Sequence, residues 1–192
     1  MQPFTDLNHD LNHALSGQRN LKPRHFQQTI AVLNINKINE DKRDIIYDAI
    51  CEGSINIAML SETRVENHML NGHEDEGDHE YNEVVAYQTP PSSRGGVMTI
   101  HQKCSFNRKI KYINHNLLYT TYRKNGQILH LINCYFPPNK TKETRQLLKN
   151  LLSTVDRIKV TNPRNCLVVG GDFNASYHEV RREMLDRGYF EV

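Results

Sequence analysis

The stretch that decides the fold is Leu-Val-Val-Gly-Gly-Asp-Phe-Asn, residues 167–174. An apolar run of this kind is typical of a buried β-strand, and glycine permits a sharp change of direction at its end. Side chains two positions apart in an extended segment point the same way, so Asp172 and Asn174 are predicted to share one face while Phe173 turns into the core. A carboxylate beside a carboxamide suits metal-assisted phosphoryl transfer. Taken alone, the octet equally fits a strand that ends in an Asx-type turn.

The same arrangement recurs at three other apolar runs that the sequence predicts as strands. Each run ends in one or two polar side chains that are suited to binding a cation or to contacting a phosphate. One such ending is common where any strand meets a loop, so it is the recurrence that favours a shared site. The polar residues concerned are, in chain order, Asn34 and Asn36, Glu62, Tyr135, and Asp172 and Asn174.

In this order the four segments resemble the endonuclease/exonuclease/phosphatase superfamily. They read Leu-Asn-Ile-Asn at 33–36, Leu-Ser-Glu-Thr-Arg at 60–64, Asn-Cys-Tyr-Phe-Pro-Pro-Asn at 133–139, and Gly-Gly-Asp-Phe-Asn at 170–174. The nearest likeness is to the apurinic-type endonuclease domain of non-LTR retrotransposon proteins. The resemblance implies an α/β fold, a four-layered α/β sandwich in which two mostly antiparallel sheets lie face to face, with helices outside and the site at one mouth.

The resemblance also implies a role for each of these residues. Glu62 would be the main ligand of Mg²⁺, or of Mn²⁺ in its place, and Asn36 would make a weaker contact to the metal. Asp172 would orient the attacking water. Hydrogen bonds and charge stabilisation at the scissile phosphate would come from Asn34, Asn174 and Tyr135.

The sequence departs from the family at its C-terminal end. Family members carry a further acidic residue and a closing Ser-Asp-His motif, whose Asp and His handle the water or the phosphate. The sequence ends at Val192 before such a motif, so the resemblance predicts a C-terminally incomplete domain, and His178 is interpreted as a surface residue. Beside a DNA-nicking endonuclease, two alternatives stay open. One is a non-catalytic relic or fragment that binds nucleic acid or protein, and the other is a phosphatase or nuclease that acts on another phosphodiester.

Length and composition agree with one globular domain. A chain of 192 residues with 38% hydrophobic content can bury a sizeable core. Residues 1–28 lack periodicity and are interpreted as a flexible extension ahead of the domain at 29–192. With no long apolar run and no signal-peptide layout, no membrane partner is expected. The cysteines have no metal-site spacing, and Cys134 and Cys166 are expected to be buried thiols, which favours an intracellular location, nuclear or cytoplasmic.

The distribution of charged residues along the chain is more informative about possible partners than the net charge of +2. Basic residues cluster at 103–124 and again at 140–149, and such stretches could follow a phosphate backbone. The alternative is that they are solvated loops and helix faces. DNA as the partner is what the resemblance implies. The acidic run at 74–83, which has histidines nearby, is interpreted as a solvated loop rather than a metal site. The resemblance adds a reverse transcriptase region of a longer polyprotein as a further expected partner.

Periodicity and turn residues predict the order of the elements. Asn-Gly at 125–126 lies between two β-rich runs and predicts a hairpin, and Gly95-Gly96 is interpreted as a turn. Strands are predicted at 29–35, 55–60, 83–88, 96–101, 117–123, 127–135 and 165–170, and helices at 40–52, 141–158 and 179–187.

Overall fold

The computed structural model describes residues 28–64, 81–85, 95–102, 107–124, 127–139, 141–161 and 166–189. Most of the predicted extension, most of the acidic run and the Asn-Gly turn itself lie outside these ranges. The elements within them are β1 (Ile30–Asn34), α1 (Glu40–Cys51), β2 (Ile57–Ser61), β3 (Tyr81–Val85), β4 (Val97–Gln102), β5 (Asn107–Asn114), β6 (Leu117–Lys124), β7 (Gln127–Tyr135), α2 (Lys142–Thr161), β8 (Cys166–Asp172) and α3 (Tyr177–Asp186).

The described strands form two sheets of four. Their orders are β1-β2-β4-β3 in the first sheet and β5-β6-β7-β8 in the second. One pair in each sheet is parallel, β1 with β2 and β7 with β8, and every other pair is antiparallel. Parallel neighbours need a long crossover, which α1 provides in the first sheet and α2 in the second. The prediction of two mostly antiparallel sheets is therefore confirmed.

Three apolar clusters hold four layers together. Ile46 of α1 packs on the outer face of the first sheet, and Leu151 of α2 packs on the outer face of the second. Between the sheets lies a third cluster, with Met59 from β2 and Tyr122 and Leu131 from the second sheet. This is the four-layered α/β sandwich that the resemblance implied. None of the described helices is long and apolar enough to cross a bilayer.

The largest error in the predicted elements is the omission of β5. The sequence of residues 107–114 alternates basic with apolar or aromatic residues. Because of its positive charge, this segment was interpreted as a possible phosphate contact and not as a strand. It is in fact an edge strand, where charged residues discourage pairing with other chains. Elsewhere the bounds shift by a few residues: the strand predicted at 83–88 begins at Tyr81, and α2 continues to Thr161.

The two cysteines of the apolar strands differ in their environment. Cys134 is fully buried, as predicted, and burial raises the pKa of its thiol. The protonated thiol donates to the carbonyl oxygen of Gly170 at 3.2 Å, which ties β7 to β8. The prediction that Cys166 is also buried is wrong, because it is the first residue of β8 and is exposed there.

Asn133 links the two sheets through their shared interior. Its side-chain Nδ2 donates to the carbonyl oxygens of Leu60 at 3.1 Å and Met98 at 2.8 Å, and the residue is 1% exposed. We expect Asn133→Ala to lower the free energy of unfolding by about 1–3 kcal/mol, because two carbonyl groups lose a buried donor. Urea denaturation measures this. Gln127→Ala, at an exposed position on the same strand, is the control, and equal stabilities of the two variants would contradict the prediction.

Candidate active site

The carboxyl ends of four strands meet at one edge of the sandwich. β1 and β2 contact β8 and β7 across the interface between the sheets. Asn34 Nδ2, at the end of β1, donates to Asp172 Oδ2 at 2.7 Å, at the end of β8. The Tyr135 hydroxyl, at the end of β7, donates to Glu62 Oε1 at 3.0 Å, just after β2. The fold thus brings these four predicted site residues together in two hydrogen-bonded pairs, each with one residue from either sheet.

The Asn-Ile-Asn and Asp-Phe-Asn segments have the same local geometry. The backbone N–H of Asn36 donates to Asn34 Oδ1, and that of Asn174 donates to Asp172 Oδ1, each at 3.1 Å. Asn36 and Asn174 both have φ of 43°, so each strand has ended before the second residue. These are Asx turns. The prediction that both side chains lie on one face of an extended strand is therefore wrong, because the first side chain of each pair turns the backbone.

Asn174 is anchored beside the site by its own side chain. Its Nδ2 donates to the carbonyl oxygen of Phe136 at 2.8 Å. The N–H of Phe136 in turn donates to the carbonyl oxygen of Asp172 at 2.7 Å. Phe173 turns into the core as predicted and packs against Phe136, with ring centroids 5.9 Å apart. These bonds fix the segments after β7 and β8 against each other; the contact of Asn174 with a phosphate stays a prediction.

Arg64 is the residue of this site that the sequence interpretation missed. Its Nη2 donates to Asn36 Oδ1 at 2.7 Å and lies 3.8 Å from Glu62 Oε2. The guanidinium therefore contacts both of the predicted metal ligands. The available signal was a basic residue two positions after Glu62, at a strand end already predicted to be functional.

The segment that carries Glu62 is held by backbone hydrogen bonds on both sides. The N–H of Lys37 donates to the carbonyl oxygen of Glu62 at 2.7 Å, and the N–H of Arg64 donates to that of Gly95 at 3.0 Å. A Cβ on Gly95 would lie 2.4 Å from the side chain of Asn116 and 2.7 Å from the Tyr135 ring. Gly95 therefore does more than form the predicted turn, since the absence of a side chain lets the backbone approach Tyr135 closely.

Backbone strain is concentrated at this edge. A left-handed φ at a residue other than glycine is uncommon and costs free energy unless the surroundings enforce it. Every such residue in the described part of the chain lies in one of the segments that follow β1, β2 and β8. They are Asn36, Lys37, Glu62, Arg64 and Asn174, with φ of 43°, 77°, 54°, 48° and 43°. Strain stored in this way is typical of a functional site.

The donor set fits a magnesium ion. The edge offers the carboxylates of Glu62 and Asp172 and the amide oxygen of Asn36, all hard oxygen ligands. No group of three or more His, Cys, Asp or Glu side chains capable of holding a metal occurs among the described residues. Mg²⁺ is commonly held by one or two carboxylates together with water and phosphate oxygens, whereas protein zinc sites use three or four side chains.

No protein-family model and no curated protein matches the sequence, whereas many solved structures match the fold. The endonuclease domain of TRAS1, a telomere-specific non-LTR retrotransposon, aligns with a TM-score of 0.59 at 13% identity, over 83% of this chain and 70% of that one. An AP endonuclease from Archaeoglobus fulgidus aligns with a TM-score of 0.58 at 18% identity, over 84% and 71%. The chain has the endonuclease/exonuclease/phosphatase fold.

A third structure of this fold is a 3′ phosphatase, NExo from Neisseria, bound to a product DNA hairpin. It aligns with a TM-score of 0.58 at 15% identity, over 82% of this chain and 70% of that one. The chain thus shares the endonuclease/exonuclease/phosphatase fold with nucleases and with a phosphatase. Because the sequence identities are this low, the similarity shows the architecture alone.

His178, interpreted from the sequence as a surface residue, is exposed at the start of α3, where its ring contacts Tyr177.

Proposed function

We propose that this chain is a Mg²⁺-dependent phosphodiesterase that nicks DNA, of the type found in retrotransposon endonuclease domains. The observation that carries the proposal is the pair of carboxylates at one edge of the sandwich, Glu62 held by Tyr135 and Asp172 held by Asn34. Two of the structures with this fold are an endonuclease domain of a retrotransposon and an AP endonuclease, and a third was solved with a DNA product. These structural neighbours support DNA as the substrate.

Glu62 and Asn36 are the residues that would hold Mg²⁺, or Mn²⁺ in its place. When bound, the metal supplies a Lewis acid that offsets the charge developing on the phosphate. Tyr135 orients the Glu62 carboxylate by donating to Oε1 through its hydroxyl, and the other oxygen, Oε2, lies near the Arg64 guanidinium. In this proposal the tyrosine also stabilises the charge that develops on the phosphate.

Asp172 is the residue that would orient the attacking water. Two hydrogen bonds fix its carboxylate, one from Asn34 Nδ2 and one from the N–H of Asn174. As the water oxygen bonds to phosphorus and the bond from phosphorus to the leaving oxygen breaks, Asp172 accepts the proton of the water. The Nδ2 of Asn34 and that of Asn174 each carry a second N–H beside the one already bonded, and these would donate to the phosphate oxygens.

A basic helix face supports a nucleic-acid substrate. α2 begins soon after Tyr135, and three basic side chains are exposed along its first half. Cations on one helix face near the site suit contacts with a phosphate backbone. They are Lys142, Arg145 and Lys149; Lys103 and Lys140, which belong to the same predicted clusters, lie outside the described residues.

Nicking of supercoiled plasmid by the purified chain in Mg²⁺ tests the proposal. We expect relaxed circles that disappear with EDTA and with Glu62→Gln, an isosteric change that removes the charged ligand. Glu52→Gln, at an exposed position after α1, removes the same charge and is expected to nick normally. A chain that is folded by circular dichroism yet leaves the plasmid intact would contradict the proposal and favour the non-catalytic relic. Nicking that persists in EDTA would contradict the role of the metal.

A further inference from the structure

The candidate site already contains a cation of its own. Arg64 follows Glu62 by two residues, and its guanidinium lies against Asn36 Oδ1 at 2.7 Å and Glu62 Oε2 at 3.8 Å. These two oxygens belong to the residues proposed above to hold the metal. A divalent cation and the guanidinium would therefore compete for the same two oxygen atoms.

The backbone directs Arg64 into this position. Its φ of 48° and the hydrogen bond from its N–H to the carbonyl oxygen of Gly95 hold the main chain in a bend that few side chains favour. The Arg64 side chain is 34% exposed and that of Glu62 is 15% exposed, so the ion pair is only partly screened by solvent. The location of this charge is thus set by the fold rather than by a freely moving surface side chain.

The hydrogen bonding of the guanidinium is incomplete. A guanidinium carries five N–H donors in a rigid fork. Arg64 Nε is buried and has no hydrogen-bond partner within the described part of the chain, and the approach to Glu62 at 3.8 Å is too long for a hydrogen bond. The cation is therefore held mainly by charge and by one amide oxygen. Such a group is displaced by a cation of higher charge more readily than one in a two-point pair with a carboxylate.

We propose that Arg64 is the resident cation of this site, and that a divalent metal enters by displacing its guanidinium from Asn36 and Glu62. The inference rests on the proposed metal-dependent function. In the metal-free chain Arg64 acts as a positioning residue, because it keeps the two ligand oxygens together. Once metal is bound, its positive charge remains nearby and weakens metal binding, so Arg64 sets the metal affinity of the site.

Titration with Mn²⁺, followed by the electron paramagnetic resonance signal of the free ion, tests this without any substrate. Removing one positive charge a few ångströms from the metal position is expected to tighten Mn²⁺ binding about tenfold in Arg64→Gln. Arg64→Lys keeps the charge and is expected to bind within about threefold of the unaltered protein. Arg182→Gln removes the same charge from an exposed site on α3 and is expected to change nothing. Mn²⁺ binding that is lost in Glu62→Gln is the binding that belongs to this site.

The outcomes separate the two proposals. Binding that depends on Glu62 but is no tighter in Arg64→Gln would overturn the role of Arg64 and leave the proposed function standing. If no binding depends on Glu62, the proposed metal site fails and the inference fails with it. A second measurement needs no variant at position 64: the ¹⁵Nε resonance of Arg64 is expected to shift as Mg²⁺ is added and to saturate with the site. If the Arg64 resonance does not shift while Mg²⁺ fills the site, the proposed displacement of the guanidinium would also be overturned.

Discussion

Replacing Asp172 by asparagine is expected to lower the initial rate of DNA nicking by about 10²- to 10⁴-fold, the range typical for loss of a general base. The side chain keeps its size and still has an oxygen to accept one hydrogen bond, but it can no longer take a proton from the attacking water. Nicking rates at saturating Mg²⁺ measure the effect. Asp186→Asn removes the same charge from an exposed position at the end of α3 and is expected to be as active as the unaltered chain.

A double variant separates the charge of Asp172 from its hydrogen bond. Asn34→Asp combined with Asp172→Asn exchanges the two ends of the 2.7 Å bond while keeping the total charge and one bond across the sheets. We expect this variant to unfold at a urea concentration close to that of the unaltered chain and to remain as slow as Asp172→Asn. Recovery of the nicking rate in the double variant would contradict the assignment of the base to β8.

Gly171→Ala is expected to lower the free energy of unfolding by more than about 3 kcal/mol, because it combines a forbidden backbone conformation with a clash that side-chain motion cannot relieve. Gly171 has φ of 133°, and a Cβ there would lie 1.8 Å from the carbonyl oxygen of Cys134. That oxygen belongs to the backbone of the neighbouring strand, so β7 and β8 would have to separate. Asp172 is the next residue, so the site would be displaced as well.

Urea denaturation of matched alanine variants measures this effect. Gly53 also has a left-handed φ, 72°, but a Cβ there would meet nothing within 4 Å. Gly53→Ala therefore reports the backbone penalty alone, expected at about 1–2 kcal/mol. The difference between the two variants isolates the clash with Cys134. Similar losses of unfolding free energy in the two variants would show that β8 can move away from β7 at little cost, which would contradict the close packing of Gly171 against Cys134.

Periodic patterns in the sequence were sufficient to locate most strands and helices, whereas their arrangement in a sandwich came from the resemblance to the family. The helix α1 begins at Glu40 and is capped by the side chain of Asn39, and α2 carries leucines at helical spacing. β5 was missed although its lysines alternate with apolar or aromatic residues, a pattern that is typical of a strand. The positive charge of the segment had been interpreted as a possible phosphate contact instead.

The predicted site residues were brought together, but the pairs they form could not be predicted. Periodicity places Asn34 and Asp172 at the ends of separate strands, and the bond between them depends on how the two sheets face each other. Likewise, nothing local to Arg64 reveals that its side chain reaches Asn36. The alternation argument failed at Asn174 because an Asx turn, a competing local hydrogen bond, ended the strand first.

The hydrogen bond between Asn34 and Asp172 joins two parts of the chain that are synthesised at different times. Its partners are 138 residues apart in the chain. A nascent chain that has emerged only as far as Tyr135 contains both residues of the Glu62 pair but lacks the carboxylate of β8. Contacts of such long range also form slowly compared with local ones. If the chain nicks DNA as proposed, nicking therefore requires that both sheets have closed.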